Sequence, residues 1–133
     1  MAMKNKDIIT LGNAGFLKAT AHTMPVEQFY KVIRWRRDLQ KAYSEIARTE
    51  NEFLREAGLT FEELKSADAD PAKVERYGAL NAALLDEESK VVARRIPARY
   101  YKYLYDENAD LFTNTEVEEI VLDNLFTEDE EDE

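Results

Sequence analysis

Residues 25–57 carry the longest unbroken periodic pattern in the chain. Phe29, Val32, Trp35, Leu39, Tyr43, Ile46 and Phe53 recur at intervals of three, four or seven, the spacing that gathers side chains on one face of an α-helix. Thr23 is placed to cap its start, Pro25 sits in the first turn where a missing N–H costs nothing, and Gly58 supplies the left-handed stop. Such a helix is about 50 Å long, so it must be the spine of whatever this chain builds. Val26, Tyr30 and Ile33 widen the apolar surface in its first turns, and this end is expected to be buried more deeply than the Phe53 end. With only four Gly and three Pro in 133 residues, long helices are favoured over a many-turned β fold.

A second helix is expected over 71–90. Asp70 before Pro71 is an N-cap followed by proline at the first helical position. Val74, Tyr77, Leu80, Leu84 and Val91 share its apolar face, with Ala79, Ala82 and Ala83 permitting close approach. Thr60-Phe61-Glu62-Glu63 is a capping-box pattern that opens a single helical turn between the two. So short a connection implies an antiparallel hairpin. Around Gly12-Asn13-Ala14-Gly15 the segment 5–20 reads either as a weakened helix or as a small hairpin. Residues 91–96 either prolong the second helix or form a strand ending before Pro97. Tyr101, Tyr103 and Tyr105 alternate as in a strand, although Tyr100 breaks the pattern. Thr115-Glu116-Val117-Glu118 caps a short amphipathic helix through Ile120, Val121, Leu122 and Leu125. The expected fold is therefore mostly α: an antiparallel helical hairpin (25–57 and 71–90) with the N-terminal segment and a short C-terminal helix packed on it, and minor β-structure within 91–105. Residues 1–126 form one helical domain and 127–133 an acidic tail.

Charge is distributed unevenly. The 28 residues 106–133 hold 13 of the 28 acids and none of the 18 bases, so the net charge of −10 divides into +3 before them and −13 within them. Such asymmetry points to electrostatic contact, within the molecule or with a partner. The acidic total disfavours non-specific nucleic-acid binding. The absence of cysteine removes disulfides, thiolate nucleophiles and Cys-based metal sites. No stretch approaches the ~18 apolar residues of a membrane span. Ile8 to Phe16 is interrupted by Thr, Gly and Asn, a poor match to a secretory signal.

The order of these parts resembles a family of small phage and prophage proteins catalogued as a domain of unknown function. The resemblance rests on Lys4-Asn5-Lys6-Asp7-Ile8-Ile9, on Met24-Pro25-Val26 leading into the long helix, on Phe53-Leu54, and on Glu119-Ile120-Val121-Leu122-Asp123-Asn124-Leu125 followed by acids. The Tyr100 to Tyr105 cluster lies outside that pattern. The resemblance implies a phage origin and a helical fold, and it assigns no site residues.

Four constellations could carry a function. Arg34, Arg37, Lys41 and Arg48 form a basic stripe on the long helix, read either as a docking surface or as a solvated face partly neutralised by Asp38 and Glu45. Arg36 and Glu50 fall on the apolar side of the first helix, Asn81 and Glu88 on that of the second. Arg36 and Glu88 lie about one turn from direct opposition and are expected to pair, fixing register; a catalytic carboxylate at Glu88 is the sharper alternative. Arg94, Arg95 and Arg99 interleave with Tyr100, Tyr101, Tyr103 and Tyr105, a composition that suits the edge of a core, a protein interface or stacked bases. Glu128, Asp129, Glu130 and Glu131 open the acidic run, which could solubilise, fold back on Arg34 and Arg37, or imitate a phosphate backbone.

His22 stands alone without metal-ligand or nucleophile partners, and no phosphate loop, G-x-S-x-G or EF-hand pattern occurs. The expectation is a non-enzymatic phage-type accessory or structural protein without cofactor or metal, located in the bacterial cytoplasm or the virion. It would bind a phage or host protein through Arg94, Arg95, Arg99, Tyr100, Tyr101, Tyr103, Tyr105 and the acids Glu128, Asp129, Glu130 and Glu131. Self-association is compatible with it; membrane contact is not expected. The alternative is an acidic inhibitor whose residues 106–133 block a host protein's basic site. A third class, a metal-assisted hydrolase using Glu87 or Glu88, lacks an obvious second acid–base group.

Overall fold

The computed structural model describes residues 3–127. Helices α1 (Asn5–Ala14), α2 (Val26–Ala57), α3 (Phe61–Leu64), α4 (Pro71–Asp86), α5 (Tyr101–Glu107) and α6 (Thr115–Leu125) are joined by 3-10 turns at Phe16–Lys18, Ala98–Tyr100 and Leu111–Thr113. Two short strands, β1 (Ile96–Pro97) and β2 (Phe126–Thr127), pair in parallel with Ile96 opposite Phe126. The fold is mostly α with minor β, as the sequence implies.

Local chemistry sets most boundaries. Gly15 (φ 97°) ends α1 and Gly58 (φ 76°) ends α2, both in the left-handed region where a side chain is penalised. The segment 5–20 is thus helix followed by a turn, not a hairpin. Thr60 and Glu63 close the expected capping box, with Glu63 N–H donating to Thr60 Oγ1 at 3.1 Å and Thr60 N–H donating to Glu63 Oε1 at 2.9 Å. Asp70 accepts from the Ala72 N–H at 3.0 Å, ahead of Pro71 at N1. Two caps fall one or two residues from their expected places: Pro25 itself precedes the first turn of α2, and Asn114 caps α6, accepting from the N–H groups of Glu116 and Val117.

Helices α2 and α4 form the antiparallel hairpin. Its distal end has its own small cluster of Leu54, Ala57 and Leu59, with Leu64, Val74 and Tyr77 against it. The main core lies at the other end, where Trp35, Val32 and Leu39 of α2 meet Ile8 and Leu11 of α1, Phe16, Leu104 of α5, and Val117, Val121 and Leu125 of α6. Trp35 meets the Phe16 ring edge-on at 5.5 Å.

Three sequence expectations need correction. Helix α4 stops at Asp86 rather than Lys90, because residues 87–89 bond instead to the start of the chain. Asn5 N–H donates to the Glu87 carbonyl (2.9 Å), Ser89 N–H to the Met3 carbonyl (2.7 Å), and the Asn5 side chain to the Leu84 carbonyl (2.9 Å). Lys4 adds an exposed ion pair to Asp86 at 2.8 Å. Arg36 and Glu88 do not pair: the Arg36 guanidinium donates to the Ala19 carbonyl, while Glu88 is exposed and bridges to Lys4 through its backbone. Finally, the Tyr100 to Tyr105 stretch is helical. Leu104 is its fully buried residue, and the helical spacing from Tyr100 and Tyr101 to Leu104 prevails over the apparent alternation of tyrosines.

Candidate protein-binding surface

Tyr30 and Val26 lie one turn apart on α2. Instead of widening the buried face, both point outward: Val26 is 84% exposed and Tyr30 48%. The buried stripe starts only with Met24, Val32 and Trp35, and Phe29 in the same turn of α2 is half-buried against the main core. The Arg34 guanidinium lies 5.8 Å from the Tyr30 ring centre and donates to its hydroxyl at 3.3 Å. Lys31 reaches across to the Arg95 carbonyl at 3.3 Å, which ties the segment leading to β1 to α2. Arg94 thereby joins Val26, Tyr30 and Lys31 around an open cleft of about 440 Å³. The hydrogen bond from Arg34 lowers the pKa of the Tyr30 hydroxyl, assisted by the charges of Arg34, Arg94 and Arg37.

An exposed aliphatic and an exposed tyrosine framed by guanidinium groups have the composition of an interface anchor: the ring and Val26 offer area to bury, and the arginines offer directed donors. Such a surface suits a partner that combines an apolar contact with carboxylate or carbonyl acceptors.

The residues singled out from sequence divide among three places. Arg94 belongs to this cleft. Arg95 is exposed but its guanidinium donates to the Phe126 carbonyl at 3.0 Å, clamping β2 to β1. Arg99 lies 4.9 Å over the ring of Tyr100, and Tyr100 adjoins Tyr103 at 6.2 Å between ring centres. Tyr101 is half-buried: its hydroxyl donates to Glu118 at 2.8 Å and its ring meets Phe112 and Phe126 edge-on. Burial, then the hydrogen bond and charge of Glu118, raise its pKa. Tyr105 stacks on Phe112 and is 40% exposed. The tyrosines therefore present two different faces, one toward Arg99 and one toward α6. Glu128, Asp129, Glu130 and Glu131 lie outside the described residues.

Of the basic stripe, Arg34 and Arg37 border the Tyr30 surface. Lys41 and Lys90 face another groove of about 580 Å³ between α2 and residues 87–92, which the four acids Asp38, Glu45, Glu87 and Glu88 also line. Among the described residues no three Asp, Glu or His side chains are grouped to hold a metal ion, and none of the helices is long and apolar enough to cross a membrane. His22 is exposed, with its ring 5.5 Å from Phe29.

The sequence reading missed the exposure of Val26 and Tyr30, since helical periodicity places them beside the apolar stripe. No protein-family model, no curated protein and no solved structure matches this chain.

Proposed function

We propose that this chain is a non-enzymatic accessory or structural protein of phage type that works by binding another protein, in the bacterial cytoplasm or in the virion. The phage assignment rests on the resemblance of Lys4-Asn5-Lys6-Asp7-Ile8-Ile9, Met24-Pro25-Val26 and the 119–125 segment. The binding role rests on one observation: Val26 and Tyr30 are left exposed at the head of the longest helix, with Arg34 and Arg94 beside them. A residue that merely completes a core would be covered there, and one that merely solvates a helix would be polar.

The experiment compares capture from lysates of phage-infected and uninfected bacteria by the full chain and by a Tyr30→Ala/Arg94→Glu variant of unchanged circular dichroism. A partner retained by the full chain in high salt and lost by the variant supports the reading. Equal capture by both removes this surface from consideration.

A second reading, the acidic inhibitor, has its own support. Glu116, Glu119 and Asp123 are exposed at spacings of three and four on α6, which lines their carboxylates along one outer face. Competition with nucleic acid for a basic partner, abolished by Glu119→Lys/Asp123→Lys and by salt, is the result this reading requires.

A further inference from the structure

We propose that the protein partner binds by strand addition, laying an extended, acid-bearing segment of its own chain between the edge of residues 92–95 and the head of α2. The inference rests on the Tyr30 surface being a protein-binding site and names the form of what binds there.

Residues 89–95 run into β1 without helix, turn or bend. Over 91–94 exposure alternates: Val91 and Ala93 are half-buried against the main core, while Val92 (78% exposed) and Arg94 face out. That is the period of a strand with one covered face. Among the described residues, Val92, Ala93 and Arg94 make no backbone–backbone hydrogen bond, and β1 beyond them pairs with β2 on one edge.

The register fixes which edge is open. Pro97 has no N–H, so the parallel pairing of Ile96 with Phe126 requires both backbone polar groups of Ile96 to face β2. Successive residues of an extended chain present these groups to opposite edges, which turns those of Arg95 and Ala93 away from β2. The Lys31 ammonium on α2 donates to the Arg95 carbonyl at 3.3 Å, so the open edge faces the cleft of Val26, Tyr30 and Arg94. An unpaired edge beside a partly apolar cleft is the arrangement that takes up an extended peptide. The backbone supplies the bonds and the cleft receives side chains.

Charge selects the occupant. Of the described residues lining the cleft, Lys31 and Arg94 are basic and Glu27 is acidic, and Arg34 adds a guanidinium beside Tyr30. A segment alternating carboxylate and apolar residues offers acceptors to these cations and apolar area to Val26 and Tyr30. Lys31 then exchanges the Arg95 carbonyl for a carboxylate of the incoming chain, and that carbonyl accepts a backbone N–H in its place.

The probe is a short blocked peptide alternating glutamate and valine, added to the full chain, with backbone amide exchange read residue by residue by NMR. At saturation, exchange at Ala93 and Arg95 should slow roughly tenfold or more. Val92 and Arg94, whose N–H groups face the other edge, should keep their free rates. Replacing the peptide's glutamates by lysines should abolish binding, and Tyr30→Ala should weaken it. No binding at millimolar peptide, or binding that leaves Ala93 and Arg95 unprotected, overturns strand addition while the Tyr30 surface still stands on its capture experiment. Protection of Ala93 and Arg95 that is indifferent to Tyr30→Ala supports strand addition and removes Tyr30 from the site. Protection that grows with protein concentration in the absence of peptide would place a second copy on the edge and overturn the partner assigned here.

Discussion

Glu107, at the end of α5, accepts hydrogen bonds from both the N–H (2.9 Å) and the hydroxyl (3.0 Å) of Thr23, 84 residues earlier in the chain. Its other oxygen accepts from the Thr20 hydroxyl at 3.1 Å, and the neighbouring Asn108 bonds the backbone of Thr20. These two side chains clip the segment before α2 onto α5. The backbone N–H groups of Thr23 and His22 are the main cause of a Glu107 pKa lowered from its usual 4.5 to about 2. A depressed carboxylate favours the folded state wherever it is ionised in both states, so its stabilisation is complete above pH 4.5 and disappears as pH falls toward 2. Glu107→Gln should therefore lower the urea midpoint at neutral pH and flatten the loss of stability across that acid window. Parallel curves for the two proteins would rule out this role.

Glu50 behaves oppositely. It faces Asn81 across the α2–α4 seam; burial raises its pKa, and the hydrogen bond from Asn81 only partly restrains the rise. A raised carboxylate destabilises the fold once ionised, so the cost develops as pH climbs through the ordinary carboxylate range and is full above the folded-state value. Glu50→Gln should be more stable than the parent at neutral pH and indistinguishable from it below about pH 4. Chemical denaturation at the two pH values decides the matter; a constant difference would show that ionisation is not involved.

Glycine substitutions should have opposite signs in two helices. A Cβ at Gly12 of α1 would come within 2.3 Å of the Tyr43 ring, whose hydroxyl is fixed to Asn13 at 2.7 Å, whereas one at Gly78 of α4 meets nothing within 4 Å. Gly78→Ala should stabilise by roughly 1 kcal/mol from helix propensity alone. Gly12→Ala gains the same propensity but forces the ring to move, and overpacking of about 1–3 kcal/mol should leave it less stable. Thermal unfolding of the two variants gives the signs directly.

Tyr101 should be the last of the seven tyrosines to ionise, since burial and the Glu118 carboxylate both oppose a second negative charge there. Because its folded-state pKa is raised, the stability it contributes is present at neutral pH and is lost as pH climbs above the ordinary tyrosine value. The alkaline tyrosinate titration of the Tyr101→Phe variant should lack the latest phase, with a stability loss of about 1 kcal/mol at neutral pH from the missing hydrogen bond. An unchanged late phase would assign it to another ring.

The features legible in the sequence were those decided within a few residues. Gly58 had to end α2, Thr60 and Glu63 could only cap each other, and Asp70-Pro71 could only begin a helix. The hairpin follows from these and from the periodicity of Phe29 to Ile46. What escaped was decided by distant partners. Residues 87–89 leave the helix because Met3 and Asn5 offer them hydrogen bonds, and Arg36 leaves Glu88 for the Ala19 carbonyl. Neither partner shares a helical face with the residue it claims, so no wheel or register rule brings them together. Exposure at Val26 and Tyr30 was hidden for a related reason: periodicity shows which residues share a side, while only the packed neighbours show whether that side is covered.

The packing of α1 against α6 has a consequence for biosynthesis. Ile8 and Leu11 are translated more than a hundred residues ahead of the apolar side chains that enclose them, Val117, Val121 and Leu125. The α2–α4 hairpin can assemble on the nascent chain around Leu54 and Leu59, but Trp35 and its neighbours stay wet until synthesis has passed Phe126. A premature stop before Val117 would release a chain with its hairpin formed and its main apolar surface open, a ready substrate for chaperones and proteases.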